Sequence, residues 1–273
     1  MDNSSLEVTA AEVDGQQSHH GELFPAVRKC HSPTGFPTGV GISTGIGLST
    51  GLGLSTGVGL STVLGWVQAN RAELLEQLGE RGAILFRDFP LTGVDDFDAF
   101  VEAFALPNFA YNESLSNAVR VNWTDRVFSA NEAPPEVTIY LHHEMAQTPI
   151  YPSKIFFYCE QAADEGGATP LCRSDVLIER LQEECPQFLS DCERRGLKYT
   201  NVMPPENDAA SGMGRSWKST LAAESPGEAE TRLAKLGYSW EWLDDGCLRA
   251  TTPVLQAVRD LGDGRRSFFN QLI

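Results

Sequence analysis

The chain has only five histidines, and none follows His143. Chemistry that needs an imidazole from any later segment is therefore excluded for these residues. Its six cysteines (Cys30, Cys159, Cys172, Cys185, Cys192 and Cys247) never take a C-x-x-C spacing, so they do not read as a zinc site or a disulfide framework. They read as reduced, partly buried thiols. H-E-x-x-H is absent, which leaves a zincin-type hydrolase without support. Basic residues are scarce: 21 Lys and Arg stand against 37 Asp and Glu, for a formal net charge of −16. A nucleic-acid or anionic-membrane surface needs clustered Lys and Arg, so neither partner is expected. No apolar run is long enough to span a bilayer. The amino terminus, MDNSSLEVTAAEVDGQQ, lacks the basic and apolar regions of a secretory signal and is too acidic for an ordinary transit peptide. The expected location is intracellular, in the cytoplasm.

At 273 residues and 41% hydrophobic content, the chain can bury a sizeable core. The first part is a different material from the rest. From Thr38 it runs TGVGIS, TGIGLS, TGLGLS, TGVGLS, a six-residue near-repeat ending at Ser61. Glycine at every second position removes side chains from one face and raises the entropy cost of ordering. Residues 1–61 are therefore expected to be a disordered, low-complexity region, and 62–273 a folded domain.

Beyond the repeat, Leu64, Val67, Leu74, Leu75 and Leu78 predict an amphipathic helix stopped near Gly82, followed by the strand AILFRDF. Phe97, Phe100, Val101 and Phe104 form one face of a second helix. AVRVNW, VTIYLHHE and SKIFFYCEQ then predict strands. Ser174 is placed to cap a helix carrying Leu177, Ile178 and Leu181, and Pro186 to open one ending at Gly196. SPGE (Ser225, Pro226, Glu228) is a capping box whose helix stops at Gly237, and Asp245-Gly246 turns a hairpin. RRSFFNQLI is a final apolar run. It ends on Leu272-Ile273 without a cap or polar tail, so Ile273 reads as a break inside a domain.

The stretch YLHHEMAQTP (Tyr140–Pro149) carries the chemistry. On a strand, His142 and Glu144 share a face while His143 points away. An imidazole and a carboxylate with open positions make two-thirds of the 2-His-1-carboxylate triad of non-haem Fe(II) oxygenases. H-x-[DE] alone is a common pattern, and His20-Gly21-Glu22 repeats it in the polar amino-terminal part. The alternative is a half-buried histidine bonded to a neighbouring carboxylate. Trp217 and Lys218 could line a pocket, but Trp217 reads more simply as core, as do Trp240 and Trp242.

The run from Phe128 to Leu171, FSANEAPP…LHHEMAQTPIYPSKIFFYCEQAADEGGATPL, resembles the taurine dioxygenase/clavaminate synthase-like family of Fe(II)- and 2-oxoglutarate-dependent oxygenases. It is most similar to the plant-type clavaminate synthase-like proteins. The likeness extends more loosely from about Leu64 through GRSWKST to FFN (Phe268–Asn270). It implies that His142 and Glu144 are iron ligands and that Thr169, in GGATP, helps hold 2-oxoglutarate, with Gly166 and Gly167 in the turn before it. It also implies a mainly β chain with flanking helices (α+β), a double-stranded β-helix or jelly roll. Iron and 2-oxoglutarate would serve as cofactor and co-substrate, with dioxygen and a small molecule as the other reactants. The family's third ligand is a later histidine, followed by an arginine for 2-oxoglutarate. Neither a histidine nor that segment follows Asn270 here. The expectation is thus an incomplete jelly roll, its carboxy-terminal strands missing, and an inactive chain. Two rivals stay open: a non-catalytic binding or regulatory module, and a cupin-type metal barrel with other chemistry.

Overall fold

The computed structural model describes residues 6–31, 59–111, 114–116, 118, 120–130, 138–208 and 214–272. Most of the glycine repeat, and Ile273, lie outside them. The contacts divide the chain into two units: Met1–Pro107 with Phe156–Ala168, and Asn108–Ile155 with Thr169–Ile273.

In the first unit, β1 (Glu7–Ala10) pairs antiparallel with β4 (Ala26–His31), and β2 (Gln17–His19) forms a hairpin with β3 (Glu22–Phe24). The hairpin turns at His20 and Gly21, which both hold positive φ, as a two-residue turn of this hand requires. Residues 6–31 are thus four strands, where low-complexity disorder was expected. Each strand is short and half polar, so no single one carries a clear pattern. Order comes from pairing: β4 lies parallel to β5 (Ile84–Arg87), a partner distant in sequence. Phe24, Val27 and Cys30 are buried in consequence.

Helix α1 (Leu60–Arg81) begins inside the last copy of the glycine repeat and buries Val63, Val67 and Leu74. Gly82 takes the left-handed conformation and its amide closes on Leu78 O, the stop read from the sequence. Helix α2 (Val94–Glu102) adds Phe100, and just beyond it Phe104. Phe86, Phe89, Phe100 and Phe104 meet edge to face, with ring centroids 5.3–6.3 Å apart.

In the second unit, α3 (Ser174–Glu184) and α4 (Pro186–Arg195) lead into β6 (Thr200–Met203). Proline opens α4 and Gly196 ends it, as expected. After α5 (Trp217–Leu221) comes α6 (Pro226–Lys235), capped by Ser225, whose hydroxyl accepts from the Glu228 amide. The Glu228 carboxylate reaches back to the Glu224 amide at 2.9 Å, one residue before the position an ideal capping box would use. Strands β7 (Ser239–Trp242) and β8 (Leu248–Thr251) form the expected hairpin, with Gly246 at φ 79° in the turn, and β8 is central in the order β6-β8-β7. Its core gathers Met203, Trp217, Leu221, Ala229, Leu233 and Leu248, with Trp240 and Trp242 packed against it. A second core joins α3 and α4 to β10 (Arg265–Phe268), which pairs with β9 (Val258–Gly262) through Ile178, Leu189, Cys192, Ala257 and Phe268.

The architecture is mixed α and β, with ten short strands and six helices among the described residues. Their ladders stop at three strands. The strands expected over AVRVNW, VTIYLHHE and SKIFFYCEQ are not formed in the described residues, apart from one bridge, Asn122 to Phe128. β-branched and aromatic residues favour an extended chain, but a strand also needs a ladder partner, and none pairs here. Ile139, Tyr140, Leu141, Ile155 and Phe157 stay exposed as a result. No helix is long and apolar enough to cross a membrane among the described residues.

Candidate functional site

His142 and Glu144 lie where an extended stretch enters a turn over residues 144–147, not on a strand. Buried residues hold that turn. Met145, in the left-handed region at φ 60°, and Ala146 and Thr148 are sunk into the unit. The Thr148 hydroxyl donates to Ile150 O and its amide to Met145 O. The two candidate ligands therefore project from a fixed corner.

The His142 ring is exposed, and its Nδ1 lies 2.7 Å from Tyr140 O. A carbonyl only accepts, so Nδ1 carries a proton there and Nε2 is the nitrogen left for a metal. This arrangement is typical of a histidine poised to bind a metal. The Glu144 carboxylate is mostly buried and lies 3.8 Å from Arg120 Nη2. Arg120 is held in turn by Ser129 O at 3.1 Å and lies over the Tyr111 and Phe128 rings. Arg215 also lies over the Tyr111 ring, 5.1 Å from its centroid, and donates to Ser114 O, Ser116 O and Ser219 O. Burial lowers the Arg215 pKa and the neighbouring Tyr111 opposes that. With carbonyls as its partners, Arg215 braces the loop from which Arg120 departs.

His143, expected to point away without a role, is the better-anchored histidine. Its Nε2 lies 2.6 Å from Ser174 Oγ and its ring packs on Phe269 at 4.8 Å. Burial pushes its pKa below the ordinary value, a hydrogen bond to the Phe268 backbone opposes this, and His142 nearby pushes the same way as burial. The ring is therefore neutral at physiological pH. Ser174 does not cap α3 as its position in the sequence suggested. Arg173 is the N-cap residue and makes no side-chain cap bond.

Thr169 lies exposed in an extended stretch, and makes no hydrogen bond to His142 or Glu144. The turn before it is as expected: Gly166 and Gly167 both hold φ 70°, and a Cβ on Gly167 would come within 2.7 Å of Ala163 Cβ. Trp217 is core, edge to face with Trp242, and Lys218 pairs with Glu206 across the surface. Arg120, His143 and Ser174 are the residues that sequence reading missed, and no local signal marks them.

One imidazole with a fixed tautomer and one carboxylate two residues on are donors that Fe(II) accepts, and they suit two positions of such a centre. Among the described residues no group of three or more His, Cys, Asp and Glu could hold a metal ion.

Comparison with known proteins shows the family. Residues 45–242 match the family model for taurine catabolism dioxygenases of the TauD, TfdA family. A clavaminate synthase-like protein of Arabidopsis thaliana is 40% identical over 197 residues, 72% of this chain and 59% of that protein. The dapdiamide synthesis protein DdaC of Enterobacter agglomerans is 31% identical over 198 residues, 72% of this chain and 56% of its own length. The chain thus spans less than two-thirds of either relative. Over most of its length, it belongs to the TauD/TfdA family of dioxygenases.

Proposed function

We propose that the chain carries part of the active site of an Fe(II)- and 2-oxoglutarate-dependent dioxygenase acting on a small molecule. The observation that carries this is the His142–Glu144 pair: a histidine whose Nε2 is left free by the Tyr140 carbonyl, beside a carboxylate steadied by Arg120. His142 and Glu144 would hold the iron, and Thr169 would contact 2-oxoglutarate. When bound, iron supplies a centre that brings 2-oxoglutarate and dioxygen together, so that decarboxylation to succinate is coupled to oxidation of the substrate. The chain's part is to present the two donors from a rigid corner, with the Glu144 carboxylate beside the Arg120 guanidinium. The proposed fold is the family's double-stranded β-helix, with the extended, apolar stretches at 138–144 and 153–159 as its unpaired strands. Because no third donor joins the pair among the described residues, iron is held weakly and turnover by these residues alone is slow or absent.

The test is Co(II) uptake by the purified chain, followed in the visible spectrum, together with Fe(II)-dependent release of succinate from 2-oxoglutarate. His142→Ala and Glu144→Gln should each weaken uptake about tenfold or more, at least the range seen for residues that only support a ligand. Uptake that ignores both substitutions overturns the assignment. A cooperatively melting chain that takes up no Co(II) favours the rival reading, a non-catalytic binding module.

A further inference from the structure

His143 sits between the two candidate ligands, and it is tied down on every side. Its Nε2 lies 2.6 Å from the Ser174 hydroxyl, a hydrogen bond between the two side chains. The ring face packs on Phe269, with centroids 4.8 Å apart. Its own carbonyl accepts from Gln271 Nε2 at 2.8 Å and from the Ala146 amide at 3.3 Å. Gln271 is anchored in turn, because its amide donates to the Tyr199 hydroxyl at 3.0 Å. The start of α3 and the residues after β10 thus converge on one side chain and one carbonyl.

Ser174 is the first residue of α3, one past the N-cap Arg173, and its hydroxyl is turned to His143. His142 and Glu144 are attached directly to the residue that is gripped, so the orientation of His143 sets the backbone from which both depart.

We propose that His143 is a positioning residue, a latch closed by Ser174 that fixes the direction in which His142 and Glu144 present their donors to a divalent cation. The proposal rests on the reading of His142 and Glu144 as ligands. It is separable from that reading, since the latch also predicts a rigid segment when no metal is bound.

The experiment uses the full chain and three variants. His143→Phe keeps the packing on Phe269 and removes the ring's hydrogen bond to Ser174. Ser174→Ala removes only the hydroxyl, and Ser174→Thr keeps it. Co(II) affinity and amide hydrogen exchange over residues 140–146 are measured for each, with a thermal melt to confirm cooperative folding. His143→Phe and Ser174→Ala should weaken Co(II) binding about 10- to 100-fold and speed exchange in the segment, while Ser174→Thr stays close to the parent. Affinity within twofold of the parent, with exchange unchanged, overturns the latch, even if His142→Ala abolishes uptake. If the parent takes up no Co(II), the ligand reading fails and exchange alone decides: faster in Ser174→Ala supports the latch, unchanged overturns it. Should His143→Phe not fold, the two serine variants carry the same decision.

Discussion

Residues 217–251 and the segments 138–155 and 169–175 belong to one unit yet are held in opposite ways. In the first, α5, α6 and the β7–β8 hairpin close over Leu221, Leu233 and Leu248, each almost wholly removed from water. In the second, the large apolar side chains Ile139, Tyr140 and Leu141 stay in solvent, and polar anchors join the small buried set of Met145 and Ala146 in giving order. Those anchors are the Thr148 hydroxyl, the His143–Ser174 bond, and the paired Arg173 and Asp175. The comparison separates two sources of structure. Hydrophobic burial is non-directional and tolerates approximate geometry. A hydrogen-bonded corner demands particular atoms at particular places, which is also what a metal site demands.

The largest effect should come from cutting into the apolar region. Leu248, in the central strand and 0% exposed, packs against Trp217, Leu221 and Leu233. Leu248→Ala should cost about 2–5 kcal/mol, because the transfer energy is lost and a cavity remains. Urea denaturation followed by far-UV circular dichroism measures it. A cost under about 1 kcal/mol would mean that the core repacks around the gap, and the contrast between the regions would weaken.

The anchored region should instead answer to acid. Asp175 is largely buried, which alone would raise its pKa, but the hydrogen bond and charge of Arg173 outweigh that and hold it below the ordinary carboxylate value. A carboxyl whose folded pKa lies below its unfolded one contributes stability above the unfolded value and loses it as pH falls through the folded value. Stability measured in urea from pH 7 downward should therefore fall off below about pH 3.9, the unperturbed aspartate value. Asp175→Asn should flatten that part of the acid limb and cost about 1.5–3 kcal/mol at pH 7, the range for a hydrogen bond to a charged group. An acid limb unchanged in Asp175→Asn would show that the pair is not what anchors the start of α3.

The two regions also differ in how far they were legible in the sequence. In 217–251 every signal is local: Ser225, Pro226 and Glu228 start a helix, Gly237 follows it, and Asp245-Gly246 turns the hairpin. Structure and pattern agree there. Gly82 and Pro186 are legible for the same reason. The H-x-E pair itself was found by spacing, though on a strand that the structure replaces with an extended stretch and a turn. What sequence reading missed depends on partners far along the chain. β1–β4 gain order by pairing with each other and with β5, more than fifty residues downstream of β4. Arg120 meets Glu144, and Ser174 meets His143, 31 residues away. Periodicity reports what a segment would bury, not which distant atom will meet it, so the anchors of the candidate site were the least legible part.

The smallest predicted effect is the sharpest check on the contrast. Leu141, next to His142, is 58% exposed, and Tyr140 beside it is 61% exposed. If the polar anchors and the buried Met145 and Ala146 hold the corner without Leu141, Leu141→Ser should change stability by no more than about 0.5 kcal/mol, as surface substitutions usually do. The Tyr140 carbonyl that fixes the His142 tautomer belongs to the backbone, so Co(II) affinity should also stay within twofold of the parent. A destabilisation of 2 kcal/mol or more would require Leu141 to be buried in solution. Sedimentation of Leu141→Ser beside the parent then identifies what covers it. A parent that associates and a variant that does not would assign the cover to a second copy of the chain. Two monomers would place the cover within the chain, and the extended stretch would belong with the apolar region after all.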